Sequence, residues 1–319
     1  MKIKIKILTP THIGSGQEIS PMEYFIDSEK GCFCCLNMDS LFRDDEFRPF
    51  RDRFIREAAR SRYIGRIITD HDLLRRHILY SLPISDDARQ HIIANPTNIK
   101  SFIKSAGRVY IPGSSLKGSL LSSMLWHAIG KNYPSQNDRR KKEIEEIFSK
   151  GRRDSQRAYD DLLKIAFPWI APSSLQENPK FARWLDVSDS SFQFPQACLQ
   201  ISVAKVRGAR KEGQLPILYE SLKEGQIFEL EIKKGEPNLS EMKILEIAHS
   251  FYLKVAEKDG VSVPRDPYVV RLGQGSTAFS TSMLLLAEDL GLRRYSISPP
   301  RTRKRIAEDI PMGFIQISN

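Results

Sequence analysis

The chain opens on a strict alternation. Met1-Lys2-Ile3-Lys4-Ile5-Lys6-Ile7-Leu8 sets Lys and Ile on opposite sides of an extended backbone, which predicts a half-buried strand. Residues 24–27 and 32–36 are apolar runs flanking Ser28-Glu29-Lys30-Gly31, a turn sequence, and predict a hairpin. From 39 to 94 the period changes: Leu41, Phe42, Phe47, Phe50, Phe54, Ile55 and Ala58 recur at threes and fours, the spacing of a helical insertion. A short strand at 109–112 leads into the stripe Leu116, Leu120, Leu121, Met124, Leu125 and Ala128, a helix for which Ser114 or Ser115 would be the N-cap. Residues 132–164 carry Arg139-Arg140-Lys141-Lys142 and Arg152-Arg153 over a thin apolar face of Ile144, Ile147 and Phe148, which predicts an exposed helical projection or a partly disordered segment. Pro168, Pro172 and Pro179 then punctuate a connector. Strands are predicted at 184–187, 199–206, 227–232 and 314–317, and helices at 239–257 and 279–288. The pattern suggests one domain over 1–178, with insertions near 39–105 and 131–165, and a second over 179–319. Each half opens with strands and sets a Gly-containing loop before a helix.

Composition adds a partner class. Of 319 residues, 40% are hydrophobic and 28% charged, which excludes a wholly disordered or collagen-like chain. Lys and Arg total 49 against 39 Asp and Glu, a net charge of +10 that favours a polyanion. No apolar run reaches the roughly 18 residues of a membrane span, and no secretory h-region opens the chain, so the cytoplasm is the expected compartment. Cysteines at 32, 34, 35 and 198 form no disulfide framework. Cys32 and Cys35 read as small strand residues and not as half of a zinc site.

Three segments carry the chemistry. Tyr110-Ile111-Pro112-Gly113-Ser114-Ser115-Leu116-Lys117-Gly118-Ser119-Leu120 joins a turn, two hydroxyls and a Lys at a helix start, the parts of an anion site. Gly118 costs a helix about 1 kcal/mol relative to Ala, which close approach of another backbone would explain. His12-Ile13-Gly14-Ser15-Gly16 is a loop able to offer backbone N–H groups. Arg271-Leu272-Gly273-Gln274-Gly275 repeats that logic before a later helix, and Pro299-Pro300-Arg301-Thr302-Arg303-Lys304-Arg305 is a basic strap suited to phosphates. The bland reading of each is a capped core helix or a solvated face. His12 is the one histidine placed for acid–base work, but among glycines it is expected to be exposed with an ordinary pKa, and Glu23 to be a solvated strand-edge acid. No paired-acid motif stands next to an apolar strand as two-metal nucleases require, and Asp44-Asp45 and Asp86-Asp87 sit in polar helical text.

Taken in order, Thr9-Pro10-Thr11-His12-Ile13-Gly14-Ser15-Gly16, the segment Ser20-Pro21-Met22-Glu23-Tyr24, the Ile111–Gly118 element, Leu185-Asp186-Val187-Ser188-Asp189-Ser190, Arg271-Leu272-Gly273-Gln274-Gly275 and Pro311-Met312-Gly313-Phe314 resemble the RAMP proteins of type III CRISPR effector complexes, and among these the fifth-subunit Csm family of type III-A. The resemblance implies an α+β ferredoxin-like (RRM-like) fold in two such units. It also implies an antiviral-defence role, binding and capping the 3′ part of crRNA and supporting its maturation, with no cofactor, no metal and no catalysis. Backbone subunits of such complexes cut target RNA with an Asp after the first motif, where this chain has Met22-Glu23. Implied partners are crRNA, neighbouring RAMP backbone subunits, target RNA and host nucleases. On this reading His12, Gly14, Ser15, Gly16, Gly113, Ser114, Ser115, Lys117, Gly118, Arg271, Gly273, Gln274 and Gly275 line one basic RNA-binding surface, joined by Arg301 and Arg303. The alternatives are a metal-independent endoribonuclease that cuts precursor CRISPR RNA using His12 with a neighbouring Lys or Tyr, and a protein scaffold whose basic residues are merely solvated.

Overall fold

In strand β1 (Lys2–Ile7) every Ile is buried and every Lys exposed, as the alternation requires. The computed structural model describes the chain except residues 59, 61–62, 151–154, 171–183, 209–215, 235–238, 266–267, 275–281, 293–301 and 307–309. After β1 come β2 (Gly14–Ile19) and the hairpin β3 (Tyr24–Asp27) and β4 (Cys32–Leu36), with Tyr24 opposite Cys35. The helical insertion resolves into α1 (Met38–Arg43), a 3-10 turn at Asp45–Phe50, α2 (Arg51–Ala58), α3 (Ile64–Ile67) and α4 (His71–Arg75). It is interrupted by a strand that the helical period hides: β5 (Ile78–Pro83) pairs with β4. Then follow α5 (Asp86–Ala94), β6 (Ile99–Phe102), β7 (Lys104–Ser105) and β8 (Arg108–Val109).

Helix α6 (Gly113–Asn132) buries Leu116, Leu120, Met124, Leu125 and Ala128, the stripe read from the sequence, and Ile129 beyond it. Its N-cap is Pro112, and Ser114 and Ser115 lie inside the first turn, which corrects the expected cap. Next come α7 (Asp138–Lys150) and α8 (Ser155–Ile170). The expected projection is packed instead: Ile144 and Phe148 are buried and α8 lies against α6 and α7. The thin apolar face suffices because α8 covers it.

The remainder supplies β9 (Leu185–Val187), α9 (Pro195–Cys198), β10 (Leu199–Gly208), β11 (Ile217–Leu222), β12 (Ile227–Lys234), α10 (Glu241–Asp259), β13 (Tyr268–Arg271), α11 (Ser282–Asp289), β14 (Thr302–Ile306), β15 (Ile310–Pro311) and β16 (Phe314–Ser318). A five-stranded antiparallel sheet runs β13-β16-β1-β12-β9, and a six-stranded sheet runs β15-β14-β10-β11-β6-β2 with β11 and β6 parallel. Helix α10 packs on β12 and β13, and α6 packs on α10 and β9.

The fold is therefore α+β, yet the expected boundary near residue 178 does not separate its sheets. β1 sits between β12 and β16, and β2 and β6 complete a sheet whose other strands follow residue 198. The register explains the first case: Lys2 faces Glu231 and Lys4 faces Glu229 across β1 and β12, so charge as well as Ile burial selects a distant partner. Among the described residues no helix is long and apolar enough to cross a membrane.

Candidate nucleic-acid interface

The segment after β1 crosses from one large sheet to the other and holds the loops together as it goes. Leu8 and Thr9 N–H groups donate to the Phe314 carbonyl (2.9 and 3.1 Å), and Gly313 N–H donates to Pro10 (3.1 Å). Leu222 N–H donates to Thr11 (2.8 Å), and Gln274 N–H donates to the His12 carbonyl (2.8 Å). Gly273 has a φ of 77°, and a Cβ there would lie 2.2 Å from the His12 carbonyl oxygen, so this crossing requires glycine. Ser119 Oγ of α6 donates to the Arg271 carbonyl at 2.8 Å. The three motifs widely spaced in sequence are thus joined. What they present outward is polar and small: Gly14, Ser15, Gly16, Gln274, Ser114 and Gly118 are exposed, with Ser115 and Lys117 half-buried beside them. Among the described residues, and apart from the backbone of α6 itself, no atom lies within 4 Å of the position a Gly118 Cβ would take, so the backbone expected to approach it does not come from within the described protein.

Two expected surface residues are interior. The Arg271 side chain is buried, its guanidinium paired with the buried Asp259 carboxylate, its Nε donating to the Met312 carbonyl at 2.9 Å and its plane 4.8 Å from the Phe314 ring. It joins α10 to the Met312 turn and is not a surface cation. His12 is fully buried against Tyr219 and Phe102, and its Nδ1 lies 2.7 Å from the Glu220 carbonyl oxygen. A carbonyl only accepts, so Nδ1 carries the proton and Nε2 is the unprotonated nitrogen. Burial pulls the His12 pKa down to about 4, against the ordinary value expected of an exposed loop histidine.

That shift fixes a pH dependence. The unfolded chain protonates His12 near 6.5 while the folded chain does not until about 4, so the unfolded state binds the extra proton across that window. Stability is expected to fall as pH drops from 6.5 to 4, by up to about 3 kcal/mol, and His12→Asn should flatten the slope. Urea unfolding at several pH values measures it, and equal slopes for both proteins would refute it. Asp27, held near 2 chiefly by hydrogen bonds from Arg75, loses its contribution only below this range.

The α6 N-terminus is also partly spoken for. Asp189 Oδ1 accepts the Gly113 N–H at 2.8 Å, so one of the groups expected to receive an external anion already holds a carboxylate. Gly113 is required for another reason: its Cβ would lie 2.0 Å from the Val187 carbonyl oxygen. Glu23 is half-buried and Oε2 accepts the Ser20 N–H at 2.7 Å, so it closes the turn before β3 and is not a solvated edge acid. Gly275 and Arg301 lie outside the described residues, and Arg303 stands in β14 opposite Arg207.

Two features escaped the sequence reading. Buried Glu220 gathers Tyr80 Oη (2.6 Å), the Phe102 N–H (2.8 Å), Ser101 Oγ (3.2 Å) and Lys104 Nζ directly beneath the His12 loop. In addition, Val109 pairs with Gln193, which sets Tyr110 5.3 Å from Phe192 and the Arg108 guanidinium 4.7 Å over Phe194, with Phe192 and Phe194 both about half exposed. The surface leading to α6 therefore has stacking aromatics as well as hydroxyls and a Lys.

Comparison with known proteins gives this geometry a context. Residues 4–280 match the family model of the RAMP superfamily. A stretch of 147 residues is 26% identical to the CRISPR system Cms protein Csm5 of Methanocaldococcus jannaschii, covering 42% of this chain and 32% of that protein. Over 314 residues the chain is 22% identical to Csm5 of Streptococcus thermophilus, covering 92% and 83% of the two. The fold is similar to a chain in the cryo-EM structure of a Csm-crRNA-target RNA ternary complex of a type III-A CRISPR-Cas system, with a TM-score of 0.68, 22% identity and 100% coverage of both. It is also similar to the crystal structure of T. onnurineus Csm5, with a TM-score of 0.69, 20% identity and coverage of 98% and 99%.

Proposed function

Because the chain belongs to the RAMP superfamily, we propose that it is the Csm5-like subunit of a type III-A CRISPR ribonucleoprotein, binding and capping the 3′ region of crRNA and supporting its maturation without cutting RNA itself. The observation that carries this is the likeness to Csm5 proteins over nearly the whole chain, in sequence and in fold. In this reading neighbouring RAMP backbone subunits are its protein partners, and its sheets are rearranged RRM-like units. The joined loops around Gly14–Gly16, Gln274 and the start of α6 take the phosphates through N–H groups, hydroxyls and Lys117, and Tyr110, Phe192 and Phe194 offer stacking faces. A non-catalytic role is supported by the burial of His12, whose unprotonated nitrogen is sealed from substrate, and by the structural use of Glu23.

Incubating the pure protein with labelled repeat RNA in EDTA tests the reading. Intact, bound RNA whose affinity falls steeply with salt is expected. Cut RNA would install the endoribonuclease reading, and no binding at any salt would install the scaffold. In the same assay Lys117→Ala should reduce the salt slope by about 1 while leaving stability within about 0.5 kcal/mol. Early melting with normal binding by the folded variant would make Lys117 structural.

A further inference from the structure

The approach to α6 is built from two extended segments that run antiparallel. Val109 and Gln193 exchange both backbone hydrogen bonds, the Val109 N–H donating to the Gln193 carbonyl at 2.8 Å and the Gln193 N–H to the Val109 carbonyl at 2.9 Å. Side chains of an extended chain alternate sides, so the residues flanking this pair share one face, Arg108 opposite Phe194 and Tyr110 opposite Phe192. The contacts agree: the Arg108 guanidinium lies 4.7 Å over the Phe194 ring, and the Tyr110 and Phe192 centroids are 5.3 Å apart. Val109 points the other way and is buried. The β7–β8 hairpin delivers Arg108 through a turn at Ala106 and Gly107 with φ of 47° and 73°, and Ala106 is the one non-glycine residue with positive φ among the described residues. A costly backbone conformation thus sits beside this face.

The face is open. Phe192 is 50% and Phe194 55% exposed, Arg108 is exposed, and among the described residues Arg108 has no carboxylate partner. Large rings left side by side in water call for a covering partner. A base stacks on a guanidinium as readily as on a ring, whereas an apolar protein face would leave that cation buried and unpaired. The same two segments also continue to the start of α6. The Ser190 N–H donates to the Ile111 carbonyl at 3.0 Å, Ser190 Oγ accepts the Ile111 N–H at 2.8 Å, and Asp189 receives the Gly113 N–H. Gly113 is only about 10 Å of extended chain beyond Tyr110, so the rings adjoin the hydroxyls and Lys117 of the phosphate site. Stacking faces beside a cationic groove are the layout of a single-strand site.

We infer that Arg108, Tyr110, Phe192 and Phe194 form a base-stacking platform that selects unpaired over paired RNA. It rests on the RNA-binding reading above and deepens it, naming strand state as what this end of the surface recognises. In a duplex each base face is covered by its neighbours, so only a splayed single strand lays bases on these rings. A π-face is common to every base, so the platform separates single strands from duplexes without selecting sequence.

The test uses the full chain and a fluorescein-labelled RNA of one length in three forms: single-stranded, single-stranded with alternate nucleotides abasic, and annealed to its complement. The unsubstituted chain should bind the intact single strand about tenfold or more tighter than either other form. Phe192→Leu with Phe194→Leu keeps apolar bulk and removes both rings. This pair should lose most of that preference while its salt slope and melting temperature stay unchanged, since no charge is removed. Arg108→Gln should lower the slope by about 0.7 and narrow the preference as well, which keeps the test decisive if the Leu pair does not fold. Equal affinity of the unsubstituted chain for intact and abasic strands would overturn the platform and leave the RNA-binding reading standing. So would an undiminished single-strand preference in the folded variants, which would hand the face to a protein partner. A Leu pair that melts several degrees lower, with the preference kept by its folded fraction, would make the rings structural and overturn the platform equally. An unsubstituted chain that binds no RNA at any salt would remove the reading beneath it.

Discussion

Arg271→Ala is expected to destabilise the folded chain by about 3–5 kcal/mol, the scale of breaking a buried ion pair from one side. The guanidinium is enclosed, and its loss leaves the Asp259 carboxylate buried in the last turn of α10, where the carbonyl ends of the helix already disfavour negative charge. The Met312 carbonyl also loses its partner, and the Phe314 ring loses the cation over its face. Replacing both partners with apolar residues, Arg271→Met and Asp259→Leu, should recover much of the loss, because the interior then holds neither charge of the pair. Urea unfolding of the two variants measures this. A stable Arg271→Ala protein with weakened RNA binding would show instead that the side chain turns outward to RNA.

Glu220→Ala should have a loss of the same order, about 3–5 kcal/mol. Its carboxylate receives donors from β5, from β6 and from Lys104, so it fastens the three-stranded sheet to the six-stranded one. Removing it leaves a Lys with no counter-charge and a buried N–H and phenol with no acceptor. Glu220→Gln keeps one acceptor and should cost less, about 1–3 kcal/mol. Faster hydrogen exchange at Phe102 in the Ala variant would place the damage at this junction. Stability within 1 kcal/mol of the parent would mean that water replaces the carboxylate.

The regular elements were legible wherever their own period decided them. Alternation gave β1, two apolar runs about a turn sequence gave the β3–β4 hairpin, and the threes and fours of Leu116 to Ala128 gave α6. β5 was lost because six residues inside charged helical text carry too little period of their own, and its pairing with β4 decides it. The site was legible as a grouping, since three separated loops did come together, but not as chemistry. Whether Arg271 and His12 face solvent depends on Asp259, Tyr219 and Glu220. A motif read along the chain therefore took an interior cation and an interior imidazole for surface groups. The partners of Glu220 stand 116 to 140 residues away from it, so no local pattern marked it.

The position of β1 also sets a timetable for synthesis. Its two neighbours are β12 and β16, so residues 2–7 stay without their second partner strand until residues 314–318 have left the ribosome. At about 5–20 residues per second that wait is roughly 15–60 s, during which an aggregation-prone edge is presented to every other nascent chain. Lys2, Lys4 and Lys6 interrupt that edge at every second residue. Until Glu231 and Glu229 arrive, the same lysines that later fix the register of β1 act as its gatekeepers.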